Sequence, residues 1–481
     1  MGRSQHLEPK LFYHNISLEQ RVPKDHPLRR IKQLVDFNFI RLRVADLYGN
    51  RGNVSVDPAV ILKLMFLLFF ENVKSERQLM AQLPLRLDWL WFCDYDLDEQ
   101  TPHHSVISKA RRRWGPEVFD EFFLHILQHC VDAGLVDGET IHIDSSMIKA
   151  DAGIDKLRPQ LRVVTEALCQ KLDEPTAAED SDTAGTDLAC SPPLNQRVSP
   201  ADPDARLGKK YSQTTLGYKD HRAVDDRCGI ITATVTTPAN EHDGKLFRQV
   251  LEAHEANTSS LVGTAVADKI YGMIENYKYL HAKGVKACIS HQKYGSKRAG
   301  KFSHDQFWYD RNCDCYICPA GQQLFLYDHK GANGQRRRYR AKRSVCASCS
   351  FFEQCVSSKT WGRQVSRNVD AEYVEWADGC FSRYQRKRLQ GRRMHKAEGS
   401  FADASNNHGF GRARWRGLWK MQIQNLMIAA IQNLRKLLRW VGSKTSAGVA
   451  AAHPLPQLLI SVCFLPVCVL YTSQNSFLPH T

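Results

Sequence analysis

Two short strand-like runs, each ending in an aspartate, constrain the fold of this chain most strongly. Residues 140–143 alternate between polar and apolar side chains and lead into Asp144, and the apolar run 264–267 leads into Asp268. Runs of this kind predict strands of a partly buried sheet. Ligands of α/β sheets usually bind at strand ends, so we expect the two aspartates to meet there. A turn-capping role is the alternative for each of them.

Helix and strand signals divide the chain into blocks. Asp57-Pro58 and Ser75 are typical N-terminal ends of helices within a mostly helical first block. A strand ending at Asp144, a hairpin over 216–237, and strands at 262–267 and 285–290 then predict a meander followed by strand–helix–strand. That arrangement is an α/β fold with mixed strand pairing.

Composition and pattern give six predicted parts, which fall at the following boundaries. They are an N-terminal helical DNA-binding domain (1–138), a sheet-bearing core (139–154 and 207–291), a largely disordered linker (155–206), a cysteine-rich basic insertion (292–380), a C-terminal helical part of the core carrying Glu398 (381–441), and a tail (442–481). The apolar run 455–470 in the tail is shorter than the roughly 20 residues that span a bilayer, so no membrane contact is expected. The first residues lack the apolar core of a signal peptide, which favours a cytoplasmic, nucleoid-associated protein.

The net charge of +15 favours a polyanionic partner, because Lys and Arg gain affinity by displacing counterions from phosphates. A basic helix end near residue 110 and an Arg-Trp stretch near residue 415 are candidate DNA contacts. A solvated helix end and core-packed tryptophans explain these two segments nearly as well. The full candidate set is Lys109, Arg111, Arg112, Arg113, Lys219, Arg392, Arg393, Arg412, Arg414 and Arg416.

Six of the fifteen cysteines cluster between residues 313 and 355. A Cys-x-x-Cys pair opposed by another cysteine about thirty residues away is typical of tetrahedral zinc sites. Cys318, Cys346, Cys349 and Cys355 are the best four ligands, with Cys315 as the rival of Cys355. The ion is expected to be structural; the alternative is a cluster of free thiols in a basic loop.

Several segments in the same order resemble the DDE transposases of bacterial insertion sequences. They are residues 143–150, 216–225, 237–243, 267–272, 397–401, 406–409 and 432–434. The resemblance runs from about residue 20 to 440. It implies an N-terminal helical domain, an RNase H-like catalytic core with flanking helices, and a zinc-ribbon-like, cysteine-bearing insertion before the catalytic glutamate. It also implies that Asp144, Asp268 and Glu398 are the catalytic carboxylates and that the four best cysteines form the metal site of the insertion.

Members of this family are expected to bind Mg²⁺ or Mn²⁺ at the carboxylates, because two such ions suit in-line phosphoryl transfer. The expected partners are the terminal inverted repeats, target DNA and a second copy of the chain on paired ends. One departure is Ser405, which stands where such proteins usually carry a lysine. The rival hypotheses are a decayed or domesticated zinc-containing DNA-binding protein and a nuclease without strand transfer.

Overall fold

The computed structural model describes residues 17–49, 55–159, 197–210, 213–290, 301–330, 335–356 and 361–446. The chain separates into one unit, Met1–Leu438, and a second, Arg439–Thr481, of which only the end of the last helix is described. The apolar run 455–470 therefore lies outside the described residues. Within the described part, every helix is too short or too polar to cross a membrane.

Helices form the whole described N-terminal region, as the sequence predicts. They are α1 (Leu18–Arg21), α2 (Pro27–Leu34), α3 (Phe39–Arg43), α4 (Pro58–Phe70), α5 (Glu76–Gln82), α6 (Leu87–Phe92), α7 (Ser105–Trp114) and α8 (Glu117–Asp132). The predicted caps are present: Asp57 accepts from the Ala59 N–H and Ser75 from the Gln78 N–H. Helix α4 is apolar around its circumference and is almost entirely buried, so it forms the centre of this region.

A mixed sheet forms the core of the molecule. Its strands are β1 (Thr140–Lys149), β4 (Arg206–Lys210), β5 (Gln213–Asp225), β6 (Ile231–Pro238), β7 (Thr264–Ala267) and β8 (Lys286–Ile289). The order is β5–β1–β7–β8, with β4 and β6 both pairing with β5. Strands β6, β5 and β1 are antiparallel neighbours, and β1, β7 and β8 are parallel. Helices α9 (Phe247–Thr258) and α10 (Ile274–Lys283) connect the later strands. The predicted mixed α/β fold is confirmed.

The prediction that the first strand ends at Asp144 is wrong. Strand β1 continues to Lys149, and it remains paired with β5 from Ile141↔Asp225 to Lys149↔Gly217. Its parallel pairing with β7 does stop at Ile143↔Ala267. The polar residues Ser145 and Ser146 interrupt the apolar pattern from which the strand was predicted. Strand β1 nevertheless continues through them, because backbone pairing on one side is enough to keep a strand extended.

The predicted linker 155–206 is partly ordered. Strand β2 (Arg158–Pro159) pairs with β3 (Arg197–Val198), and Val198 and Ala205 are buried. The buried Asp202 accepts hydrogen bonds from the Tyr218 hydroxyl at 2.5 Å and from the Gly417 N–H at 3.1 Å. These ends therefore belong to the folded core. The rest of the predicted linker lies outside the described residues.

The cysteine-rich insertion contains a second sheet. Its strands are β9 (Trp308–Asp310), β10 (Cys315–Ile317), β11 (Gln323–Lys330), β12 (Arg336–Arg340) and β13 (Gln364–Asn368), all antiparallel and in the order β13–β12–β11–β10–β9. Two short helices, α11 (Arg343–Ala347) and α12 (Phe352–Cys355), lie between β12 and β13. The predicted boundary at residue 380 is too late, because α13 (Ala371–Gly379) packs Ala377 into the core beneath the first sheet.

The C-terminal part consists of α14 (Arg383–Arg393), a π-helical turn (Met394–Glu398), α15 (Gly399–His408) and α16 (Leu418–Ser446). Helix α16 covers the outer edge of β6 with side-chain amides. Gln422 exchanges hydrogen bonds with the Thr236 N–H (2.8 Å) and the Thr234 carbonyl (3.0 Å), and Asn433 does the same with both backbone groups of Ile231. An otherwise open sheet edge is thereby satisfied.

Candidate active site

Asp144 and Asp268 each follow the last register pair of two neighbouring parallel strands, β1 and β7. That pair is Ile143↔Ala267; Asp144 is the next residue of β1, and Asp268 comes directly after β7, before the turn Lys269–Tyr271. Adjacent strands are about 4.8 Å apart, which brings the two carboxylates to the same edge of the sheet. The two aspartates meet here through the parallel register and not through two strand ends, because β1 continues past Asp144.

Glu398 reaches the same place from the C-terminal helices, and Arg393 makes the connection. Its Nη1 donates to Asp144 Oδ2 at 2.7 Å and its Nη2 donates to Glu398 Oε1 at 2.9 Å. The Arg393 side chain is 9% exposed, that of Asp144 is 15% exposed and that of Glu398 is 49% exposed. The site is therefore open to solvent at the glutamate and closed at the arginine.

The π-helical turn explains how Arg393 and Glu398 meet. They are five residues apart, a spacing that diverges around an α-helix but aligns where hydrogen bonds run from i to i+5. The Gly399 N–H bonds to the Met394 carbonyl in this manner. The turn thus directs Glu398 to the face that carries Arg393.

Gln390, on α14, attaches this helix to the strand ends. Its Nε2 donates to the carbonyl oxygens of Ala267 at 3.0 Å and Cys288 at 2.8 Å, immediately before Asp268 and at the end of β8. Its Oε1 accepts from Arg393 Nε at 3.1 Å. Gln390 therefore orients the arginine that holds the carboxylates. Sequence reasoning missed this residue, because an isolated glutamine in a basic helix carries no signal of its own.

Burial raises the pKa of the Asp144 carboxyl to about 6, and the nearby carboxylates of Glu398 and Asp268 act in the same direction. Arg393 and the Ser145 N–H pull that pKa down. Glu398 and Asp268 thus lie close enough to Asp144 to disfavour its charged form, though less than burial does.

A buried polar network fixes α15 and α16 against β5. Arg222, fully buried, donates to Asp220 Oδ2 at 2.6 Å and to Gln432 Oε1 at 3.0 Å. Gln432 Nε2 in turn donates to the Ser400 carbonyl at 2.8 Å and to Asp403 at 2.6 Å. Arg222 is also the register partner of Asp144. This network places the start of α15, directly after Glu398, against the sheet.

The carboxylates do not form a tight ligand cage. Among the described residues, only Asp310, Cys313 and Cys315 place ligand atoms of three such side chains within 4.8 Å of one another. The donors at the candidate site are carboxylate oxygens, the ligands that a hard divalent cation prefers, and Arg393 occupies one oxygen of Asp144 and one of Glu398.

The predicted DNA contacts fall into two groups. Lys109, Arg112, Arg113, Arg412 and Arg416 are exposed. The last two share Asp151 at 3.0 and 3.3 Å.

The other five candidates have partners within the protein. Arg392 pairs with Asp226, Arg393 bridges the carboxylates, and Lys219 pairs with Asp243 at 2.7 Å. The last two candidates, Arg111 and Arg414, are held by contacts inside the protein, which argues against a contact of either with DNA. Arg111 is buried, pairs with Glu76 and stacks 3.8 Å from the Trp415 ring centroid, while Arg414 donates to the carbonyls of Leu68, Val73 and His408.

All four predicted zinc ligands line one small cavity in the insertion, together with Arg363. Backbone N–H groups point at two of the sulfurs, from Gln322 to Cys318 at 3.4 Å and from Arg363 to Cys346 at 3.5 Å. Burial raises the pKa of Cys355, and the three other cysteines add to that rise. Cys315, the rival ligand, is bonded to Cys313 in a disulfide and so has no free thiol.

Two family models match the chain, on either side of the two aspartates. One is described as a transposase domain (DUF772) and covers residues 16–113. The other is described as a transposase DDE domain and covers residues 317–438, which include the four cysteines and Glu398. No curated protein matches the chain significantly.

Proposed function

Because its two domain matches identify the chain as a DDE transposase of the insertion-sequence type, we propose that it binds the terminal inverted repeats of its own element, cleaves DNA at the element ends and joins the freed 3′-OH ends to target DNA. The observation that carries this proposal is the clamp of Arg393 on Asp144 and Glu398, with Asp268 at the adjacent strand position.

In this proposal Asp144, Asp268 and Glu398 hold Mg²⁺ or Mn²⁺. Such ions neutralise the attacking and leaving oxygens of an in-line displacement at phosphorus. Asp144 and Asp268 are supplied by rigid strands, and Gln390 keeps the helix of Arg393 against those strands. The half-exposed Glu398 forms the solvent side, where a DNA backbone has access.

For duplex DNA we propose the exposed side chains of α7, which are Lys109, Arg112 and Arg113. Phosphate contacts of this kind position a duplex without reading its sequence. Paired element ends call for two copies of the chain, so a homodimer on DNA belongs to the proposal.

The last part of the proposal concerns the four cysteines that line the cavity in the insertion. We propose that Cys318, Cys346, Cys349 and Cys355 bind a structural zinc ion, since all four residues line one cavity and the sulfurs of Cys318 and Cys346 accept N–H bonds that favour thiolates. The bond between Cys313 and Cys315 removes Cys315 as the rival of Cys355.

The test is Mg²⁺-dependent nicking of a duplex that carries an element end. Asp268→Asn should reduce nicking to background and leave duplex affinity within about twofold, because the amide oxygen retains the hydrogen bond from the Lys269 N–H but supplies no charge. The exposed Asp98→Asn is the matched control and should cut normally.

Unaltered cutting by Asp268→Asn would contradict the proposed carboxylate set, and loss of binding together with cutting would assign Asp268 a folding role. Joined donor–target products distinguish a transposase from a nuclease. Nicking without any joined product would show that the protein hydrolyses DNA and does not carry out the proposed strand transfer.

A further inference from the structure

The sheet of the cysteine-rich insertion has one buried and one exposed face. Tyr316, Leu324, Tyr339 and Val365 project into the small hydrophobic core on the cysteine side. Side chains alternate along a strand, so the neighbours of these residues lie on the opposite face. That face carries Trp308, Phe325 and Arg340, with Phe325 directly paired to Arg340 across β11 and β12.

Large aromatic side chains are unusually exposed on this sheet. Trp308 is 63% exposed, Phe325 is 51% exposed and Trp361, just before β13, is 52% exposed. Leaving such rings in water forgoes hydrophobic free energy, so a cluster of them marks a binding surface more often than an isolated one does.

Arg340 connects Phe325, its register partner, with the rings of Tyr327 and Trp361, while Trp308 lies further along the same face on β9. Its guanidinium lies 4.2 Å from the Tyr327 ring centroid and 4.7 Å from that of Trp361. We call Trp308, Phe325, Tyr327, Arg340 and Trp361 the aromatic face. Hydrogen bonds of the sheet hold the backbone of Trp308, Phe325, Tyr327 and Arg340, and Trp361 lies three residues before β13.

The surroundings of the aromatic face are strongly basic. Six of the eight residues 336–343 are Arg or Lys. This charge favours a polyanion and opposes the docking of a second, equally basic chain on the same surface.

We propose that the aromatic face binds single-stranded DNA, with unpaired bases stacked on its rings and the phosphates contacted by the adjoining arginines. Duplex bases are stacked on one another and present only their edges, so flat exposed rings suit unpaired bases. Strand cleavage at an element end produces such bases when the end frays. The inference rests on the proposed function only for its choice of DNA as the polyanion.

The test uses the full chain, a fluorescein-labelled oligothymidylate of about 20 nucleotides and fluorescence anisotropy without added divalent metal. Trp308→Ala, Phe325→Ala and Trp361→Ala should each weaken binding about tenfold, in line with the loss of one base stack. Affinity for a duplex of equal length should change less than twofold.

Phe351→Ala is the matched control. Phe351 is also an exposed aromatic of this insertion, 38% exposed, but it packs beside Phe302 and adjoins Phe352 of the cysteine cavity. Its removal should leave oligothymidylate affinity unchanged. Arg340→Lys, which keeps the charge and loses the planar contact, should weaken binding less than Trp308→Ala does.

Equal oligothymidylate affinities of the wild type and the three alanine variants, each with unchanged circular dichroism, would overturn the inference. So would a dimer of the wild type in solution that Trp308→Ala dissociates, since the face would then be a subunit interface. Asp268→Asn should bind the oligonucleotide normally. The two proposals can also fail separately. If the wild type does not cut DNA, but binds the oligonucleotide and Trp308→Ala does not, the proposed function is refuted and this inference is supported.

Discussion

Arg393 is the residue on which the carboxylate site depends most. Two carboxylates a few ångströms apart repel each other by roughly 1 kcal/mol in water and about 4 kcal/mol at a protein surface. The guanidinium relieves that repulsion by donating to Asp144 and Glu398 at the same time, and Gln390 fixes its third donor. Arg393 and a divalent ion thus compete for the same oxygens.

We predict that Arg393→Gln lowers the melting temperature in the absence of metal and enlarges the rise that Mn²⁺ produces. The variant leaves two carboxylates without their internal cation, so an added ion gains more by binding there. Differential scanning fluorimetry over a Mn²⁺ titration measures both effects.

Arg392→Gln is the control for that measurement, because it removes the same charge one residue away, where the partner is Asp226. Its Mn²⁺ response should match the wild type. A smaller Mn²⁺ response of Arg393→Gln would mean that the arginine helps to hold the ion rather than replacing it.

Sequence alone could not separate the arginines. Arg111 and Arg112 are adjacent in the same basic run, yet the first is buried against Glu76 and Trp415 and the second is exposed. Which face of α7 packs inward depends on residue 415, far along the chain. Charge density therefore predicted a DNA partner but not the individual contacts.

At the scale of elements, the π-helical turn has the clearest consequence. Compared with a regular α-helix, in which residues four apart lie on one face, the segment from Arg393 to Glu398 contains one extra residue. The i to i+5 hydrogen bond of Gly399 accommodates this residue, so α14 and α15 each keep their own buried face. Without that residue, Arg393 and the glutamate would be four apart, a spacing that an ordinary α-helix also aligns.

We predict that deletion of the exposed His395 preserves the fold, with a melting temperature equal to or above that of the wild type, because the turn becomes regular helix. Deletion of the exposed Ala402 should lower it by at least about 5 °C, since the rest of α15 rotates by about 100°. That rotation removes Asp403 from Gln432 and His408 from the Phe69 carbonyl.

Thermal unfolding followed by circular dichroism measures the melting temperatures of the two deletion variants and of the wild type. Equal destabilisation by both would show that the five-residue spacing is itself required for packing.

The strands were predictable to the extent that side-chain patterns report burial. The hairpin of β5 and β6, helix α9 and the strand β7 that leads to Asp268 followed from apolar runs and turn residues. The continuation of β1 and the pairing of β2 with β3 did not, because polar residues there are held by backbone bonds that leave no pattern. The π-helical turn is likewise silent in sequence, since its residues are ordinary helix formers.

For the whole molecule, the carboxylate site is assembled from distant segments. Asp144 and Arg393 are 249 residues apart, and the cysteine-rich insertion lies between β8 and α13 in the chain. The insertion has its own hydrophobic core, formed around Tyr316, Leu324 and Tyr339. Its stability can therefore change separately from that of the main sheet.

We predict about one zinc ion per chain by atomic emission, and its loss with 1,10-phenanthroline or with Cys346→Ser. Metal loss should expose residues 301–368 to limited proteolysis before the core is cut, because structural zinc contributes folding free energy to the small domain that binds it. Cys313→Ser should retain the zinc. A metal-free chain whose insertion resists protease equally well would contradict the assignment.

The hydrogen bonds from α16 to the outer edge of β6 determine what a chain truncated before α16 would lose. A stop codon just before Leu418 would keep Asp144, Asp268 and Glu398 in the product but leave the Thr236 N–H and the Thr234 carbonyl without their partner. Bare edges invite strands from other molecules. A truncated copy should thus lose solubility while it keeps all three proposed catalytic carboxylates, so their presence in a sequence is a poor guide to activity.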